Sequence, residues 1–72
     1  MKVEVFKTNI NTTQSANIIT GLMHLCFPTI SANVDLHDRD HVLRVASENN
    51  EIDEALLINF VRNLGFQINI LN

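Results

Sequence analysis

A polar stretch at residues 8 to 15 is the first place in this sequence to look for chemistry. It follows a strand-like run and leads into an amphipathic helix, and loops of this kind often carry binding or catalytic groups. The stretch reads Thr-Asn-Ile-Asn-Thr-Thr-Gln-Ser, so it supplies hydroxyl and amide groups. It holds no charged acid or base that could activate a hydroxyl nucleophile at Thr12 or Ser15. We therefore predict that this loop is not catalytic and that the protein is not an enzyme.

The densest group of metal-ligand residues lies at a second place, His37, Asp38, Asp40 and His41. Two imidazoles and two carboxylates around one turn are able to hold a divalent ion such as zinc or nickel. Arg39 places a positive charge in the middle of the group. Asp and His are also ordinary residues for a polar turn. We prefer the solvated turn, and keep these four residues as a possible alternative metal site.

The single cysteine, Cys26, lies at the far end of the predicted first helix. At 1.5 Å per residue it is about 16 Å from Ser15, which is too far for both residues to bind the same metal ion. Free cysteine is among the most buried residue types, so we predict Cys26 in the core. His24 is two residues away, where side chains do not face the same side, and we predict a solvated imidazole. The sequence gives no reason to expect a cofactor.

Composition sets limits on the class of protein. The chain has 72 residues, 46% hydrophobic and 18% charged, which is typical of one small globular domain spanning residues 1–72. Its net charge of −3 and scattered basic residues argue against a nucleic-acid partner. One cysteine implies no oxidising compartment, so we expect a cytoplasmic protein. Without an apolar leader or a long apolar run, we expect neither secretion nor membrane insertion.

The first half of the chain predicts a strand and a helix. Lys2 to Phe6 is the strand, although its apolar pattern does not decide which face is buried. The helix begins after a cap at Thr12 or Thr13 and ends before Pro28. Gly21 within it suggests a close packing contact. The predicted buried stripe consists of Ile18, Ile19, Leu22, Leu25 and Cys26.

The second half predicts a hairpin, a helix and a last strand. Residues 32–37 and 41–45 alternate in polarity and flank a polar turn. Asp53 caps a helix whose apolar face includes Leu57, Val61 and Leu64, and Gly65 ends it. Residues 66–70 form the last strand.

The order is therefore β-α-β-β-α-β. Right-handed crossovers place both helices on one face of a four-stranded antiparallel sheet. The predicted fold is an α+β, ferredoxin-like sandwich. Its other face carries Asn33, Asp35, His37 and Arg44, and is covered by solvent or by a dimer partner.

Four short segments carry a resemblance to a known family: residues 10–15, Val34-Asp35-Leu36, Leu43-Arg44-Val45 and Leu64-Gly65-Phe66. With these, the sequence resembles over nearly its whole length the heavy-metal-associated domain family of copper chaperones and metal-transporting ATPases. Ile10 stands where that family usually has methionine, and Thr12 and Ser15 stand at its two Cys-x-x-Cys positions.

The resemblance implies a shared scaffold without the family's metal site. Soft thiolates select copper(I), zinc or mercury, and the neutral hydroxyls of Thr12 and Ser15 do not replace them. Domains of this family dock on one another during metal transfer, so the resemblance leaves a protein partner or a homodimer as the expected role. Two alternatives stay open. One is metal handling through His37 and His41 or at a site shared in a dimer. The other is a regulatory module of the ACT type that binds an amino acid.

Overall fold

The computed structural model describes residues 1–71, and it has the predicted β-α-β-β-α-β order. Its elements are β1 (Lys2–Thr8), α1 (Thr13–Cys26), β2 (Ile30–Asp35), β3 (Val42–Ser47), α2 (Glu54–Asn63) and β4 (Ile68–Ile70). All four strands differ from the sequence prediction by two residues at one or both ends. β1 continues to Thr8, β2 lies two residues earlier, β3 continues to Ser47, and β4 begins two residues later.

The four strands form one antiparallel sheet in the order β2-β3-β1-β4. In its centre Phe6 of β1 lies opposite Leu43 of β3 on one side and Ile70 of β4 on the other. Both helices pack on the face of the sheet that carries Phe6 and Leu43. The predicted α+β ferredoxin-like fold is therefore confirmed.

The pairing of β1 decides which of its faces is buried. Phe6 and Thr8 are buried against the helices, while Val3 is 47% exposed. Because side chains alternate along a strand, Val3 and Val5 point to the opposite, open face of the sheet. Arg44 lies opposite Val5 on that face. The open face is thus mixed, with valines beside charged and amide side chains.

The buried face of α1 differs from the predicted stripe. The residues that reach the core are Ala16, Ile19 and Met23. Of the five predicted residues only Ile19 is buried, since Ile18 is 55% exposed, Leu25 is 79% exposed and Cys26 is exposed. The prediction was wrong because the apolar residues of α1 cover an arc wider than the face that packs on the sheet, so periodicity alone did not select that face.

Both helices begin and end at the residues from which the sequence predicted their ends. Thr12 caps α1, and Phe27, before Pro28, follows its last residue. Asp53 caps α2, with its Oδ1 accepting a hydrogen bond from the Leu56 N–H at 3.1 Å. After α2, Gly65 has φ of +95° and donates its N–H to the Arg62 carbonyl at 2.9 Å. This left-handed glycine ends the helix in the expected way.

Gly21 does not make the close packing contact that the sequence suggested. It is exposed, and apart from its chain neighbours and the adjoining backbone of α1, no described atom lies within 4 Å of where a Cβ would be placed. The glycine therefore leaves a flat, open place on the outer side of α1.

Candidate functional site

Three loops meet at the end of β1, and we call them the loop end: residues 9–12, 36–41 and 64–67. Thr8 joins two of them. Its N–H donates to the Asp40 carbonyl at 3.1 Å, and its Oγ1 donates to the His41 carbonyl at 2.6 Å. The same hydroxyl accepts from the Ile10 N–H at 3.2 Å. Because Thr8 is 7% exposed, this hydroxyl fixes the loops from within and is not offered to a ligand.

The third loop is held by a pair of bonds between Asn9 and Gln67. The Asn9 N–H donates to the Gln67 carbonyl at 3.3 Å, and the Gln67 N–H donates to Asn9 Oδ1 at 2.8 Å. The Asn9 amide oxygen thereby extends the pairing of β1 with the chain before β4. These bonds fix the position of the loop that carries Thr12.

Thr12 and Ser15, at the Cys-x-x-Cys positions of the resemblance, come together as a helix cap. Thr12 Oγ1 accepts a hydrogen bond from the Ser15 N–H at 3.1 Å. A threonine at this position satisfies one of the free N–H groups at the start of a helix. The neutral hydroxyl is thus engaged in holding the first turn of α1.

The carboxylates of the hairpin turn are also engaged within the protein. Asp35 Oδ1 accepts from the His37 N–H at 3.0 Å, and Asp38 Oδ1 accepts from the Asp40 N–H at 2.8 Å. Asp40 pairs with Lys7 at 3.7 Å. Within residues 1–71, no three His, Cys, Asp or Glu side chains are arranged to hold a metal ion. The structure therefore places His37, Asp38, Asp40 and His41 in one turn without forming a ligand set.

His41 is the unusual residue of this turn. Its φ is +44°, a left-handed conformation, and its N–H donates to the Asp38 carbonyl at 3.0 Å. Its Nδ1 is buried and has no hydrogen-bond partner among the described residues. A single imidazole nitrogen does not bind an ion firmly, because zinc sites in proteins use three or four protein ligands.

His24 is exposed, as the sequence predicted, whereas Cys26 is placed differently from the sequence prediction. The His24 ring is exposed, but its Nε2 accepts a hydrogen bond from the Ala32 N–H at 2.9 Å. β2 lies at the edge of the sheet, and an edge strand has backbone N–H groups without a partner strand. His24 accepts a hydrogen bond from one of them. Cys26 is exposed at the C-terminal end of α1 and is not a core residue.

Sequence reasoning missed an apolar surface on the side of α1 that faces away from the sheet. We call it the outer ridge: Ile18, Gly21, Leu22 and Leu25. Ile18 and Leu25 are largely exposed, while Leu22 is half-buried. The spacing of these residues is visible in the sequence, because residues at i, i+3, i+4 and i+7 share a helix face. The sequence prediction assigned this face to the core, whereas the residues that pack on the sheet lie on the neighbouring face of α1.

The helices of the described chain, residues 1–71, are too short or too polar to cross a bilayer. No family model, curated protein or solved structure matches this chain. The resemblance to heavy-metal-associated domains thus depends on the residues and spacings of the sequence itself. The loop end and the outer ridge are the two features of the molecule that bear on its function.

Proposed function

We propose that this protein is a non-catalytic interaction module, related to heavy-metal-associated domains, that has lost the soft-metal site and acts through protein contacts in the cytoplasm. The observation that carries the proposal is the hydrogen bond between the Ser15 N–H and Thr12 Oγ1. At the two positions where the resembling family binds metal, this chain has two neutral hydroxyl residues, and the hydroxyl of Thr12 caps α1.

The chemistry of the loop end supports the same conclusion. Copper(I), zinc and mercury are held by deprotonated sulfur in such loops, and a neutral hydroxyl is a harder and weaker ligand. Three further polar side chains at the loop end, those of Thr8, Asn9 and Asp38, already bond to backbone groups of the protein. What persists from the scaffold is its surface, on which the outer ridge is an apolar patch suited to a protein contact.

Native mass spectrometry of the untagged protein with copper(I), zinc and nickel, each in competition with a chelator, tests the proposal. We expect no stoichiometric metal adduct. The matched positive control is the double variant Thr12→Cys with Ser15→Cys, which restores two thiols at the loop and should bind copper(I). A stoichiometric adduct of the unmodified protein that survives the chelator would contradict the proposal.

The hairpin turn supplies the second candidate function, metal binding through altered ligands. The unpartnered Nδ1 of His41 favours it, and the engagement of Asp35 and Asp38 with backbone N–H groups opposes it. An adduct lost in the variant His37→Asn with His41→Asn would establish this function. A rise in melting temperature with one particular amino acid would instead favour the ACT-type regulatory module.

A further inference from the structure

We propose that His24 is a pH-sensitive gate on the edge of the sheet. In its neutral form the imidazole covers the Ala32 N–H and closes the edge of β2 to an added strand. When Nε2 takes up a proton from solvent, the ring leaves and the edge opens. The observation that carries the inference is the hydrogen bond from the Ala32 N–H to His24 Nε2, at 2.9 Å. The inference goes beyond the proposed function, because it depends on neither the loop end nor the outer ridge.

The position of Ala32 in β2 makes its N–H part of the open edge. β2 is an edge strand and pairs with β3 on one side only. In an antiparallel pair, the N–H groups of successive residues point alternately toward the partner strand and away from it. Since the Ala32 N–H reaches His24, the N–H groups of Ile30 and Val34 also point outward. The Ile30 N–H already donates to the Phe27 carbonyl at 3.2 Å, so Ala32 is the central outward donor of this edge.

The ring of His24 closes the edge in two ways. An added strand lies about 4.8 Å from its neighbour. The imidazole occupies that space, because its Nε2 is 2.9 Å from the Ala32 nitrogen. The ring also takes the hydrogen bond of the donor itself, so an arriving strand finds no free N–H at this residue. Covering an edge strand is one means by which natural sheets avoid pairing with other chains.

The contact requires a neutral imidazole. Nε2 accepts a hydrogen bond through its lone pair, so in the closed form the ring proton is on Nδ1. Protonation of Nε2 turns both ring nitrogens into donors, and a donor that faces the Ala32 N–H forms no hydrogen bond with it. Because His24 is exposed, the imidazolium turns into water without burying its charge. Histidine is the side chain whose charge changes between about pH 5 and pH 8.

No charged side chain of the two described elements that meet at His24 faces its ring. α1 contains no Asp, Glu, Lys or Arg, and its other titratable group, Cys26, lies on a different side of the helix. The one charged residue of β2 is Asp35, which strand alternation places on the open face of the sheet, whereas Ala32 faces the helices. The connection between the two elements, residues 27–29, is uncharged. In these segments the imidazolium therefore has no carboxylate that would hold it at the edge.

Nuclear magnetic resonance of the isotope-labelled, untagged protein between about pH 8 and pH 5 tests the gate. We expect the neutral ring to carry its proton on Nδ1, as read from its two nitrogen shifts. As the pH falls, the Ala32 amide signal and the His24 ring signals should move together, with one midpoint. The protection of the Ala32 N–H against hydrogen exchange, corrected for the intrinsic rate at each pH, should fall by at least about five-fold.

The next residue of β2, Asn33, is the internal reference. Its N–H points toward β3, where it lies opposite Arg44, and its protection should not change with the state of His24. If Asn33 lost protection in the same proportion as Ala32, acid would be loosening the whole strand, and the gate would be overturned.

Two substitutions at position 24 separate the gate from a general effect of acid. His24→Gln supplies a carbonyl oxygen acceptor of similar reach that does not titrate, so Ala32 should stay protected at both ends of the pH range. His24→Ala removes the acceptor, so Ala32 should be as unprotected at high pH as in the acidified wild type. The matched control is His37→Gln, which removes another exposed imidazole and, without added metal, should leave the wild-type response unchanged. Circular dichroism checks that each variant is folded.

Three further results would overturn the gate: protection of Ala32 that is equal at both pH values, a fall in that protection in His24→Gln, or a neutral ring with its proton on Nε2. Each is separable from failure of the proposed function, which is decided by metal adducts in native mass spectrometry. A chelator-resistant adduct would remove the proposed function and leave the hydrogen bond at the edge of β2 as it is.

Discussion

At the scale of single residues, Thr12 shows how a hydroxyl at a would-be ligand position serves the fold. Its side chain is the helix cap, one of the two threonines that the sequence offered for that place, and the bond to the Ser15 N–H has ordinary length. Thr8 could not be assigned in the same way, because its hydroxyl bonds to the carbonyl of His41, 33 residues away in the chain. Local patterns reveal caps, and they do not reveal contacts between distant loops.

Replacing Thr12 with alanine tests the cap directly. We expect Thr12→Ala to lower the free energy of unfolding by about 1 kcal/mol, because the Ser15 N–H loses its acceptor. Urea denaturation followed by circular dichroism measures the change. The control is Thr13→Ala, at the first residue of α1, which should change stability by less than about 0.5 kcal/mol. Equal losses in both variants would show that the hydroxyl of Thr12 is not what stabilises the helix start.

At the scale of elements, α1 was predicted correctly in extent and wrongly in orientation. Thr12 and Pro28 mark its ends locally, through capping and through proline geometry. Which face of α1 is buried depends on which of its side chains fit against the sheet. Neighbouring Ile18 and Ile19 differ by about 100° around the axis, and both are apolar. The sheet packs against Ile19, with the small Ala16 and the flexible Met23 beside it, and so leaves Ile18 outside.

Replacing each of the two glycines of the chain with alanine should change the free energy of unfolding in opposite directions. Gly21→Ala should raise the free energy of unfolding of the monomer by about 0.5–1 kcal/mol, since Gly21 is in a helix interior with open space around it. Gly65→Ala is the matched control and should lower it by about 1 kcal/mol or more, because φ of +95° is unfavourable for alanine. Urea denaturation at low protein concentration measures both.

If Gly21→Ala destabilised the monomer, the outer side of α1 would be more crowded than the structure shows. The sign of this one substitution therefore tests the described surface of the isolated protein.

At the scale of the whole molecule, the sequence predicted the topology because short connections and right-handed crossovers leave few arrangements for β-α-β-β-α-β. The same rules do not predict function, since one fold carries many tasks. The loop end shows the limit: candidate residues in two of its three loops were identified from the sequence, but their engagement with backbone groups depends on how three distant loops meet. For the outer ridge, the apolar spacing is visible in the sequence, but only the packing of α1 on the sheet shows that this face is exposed.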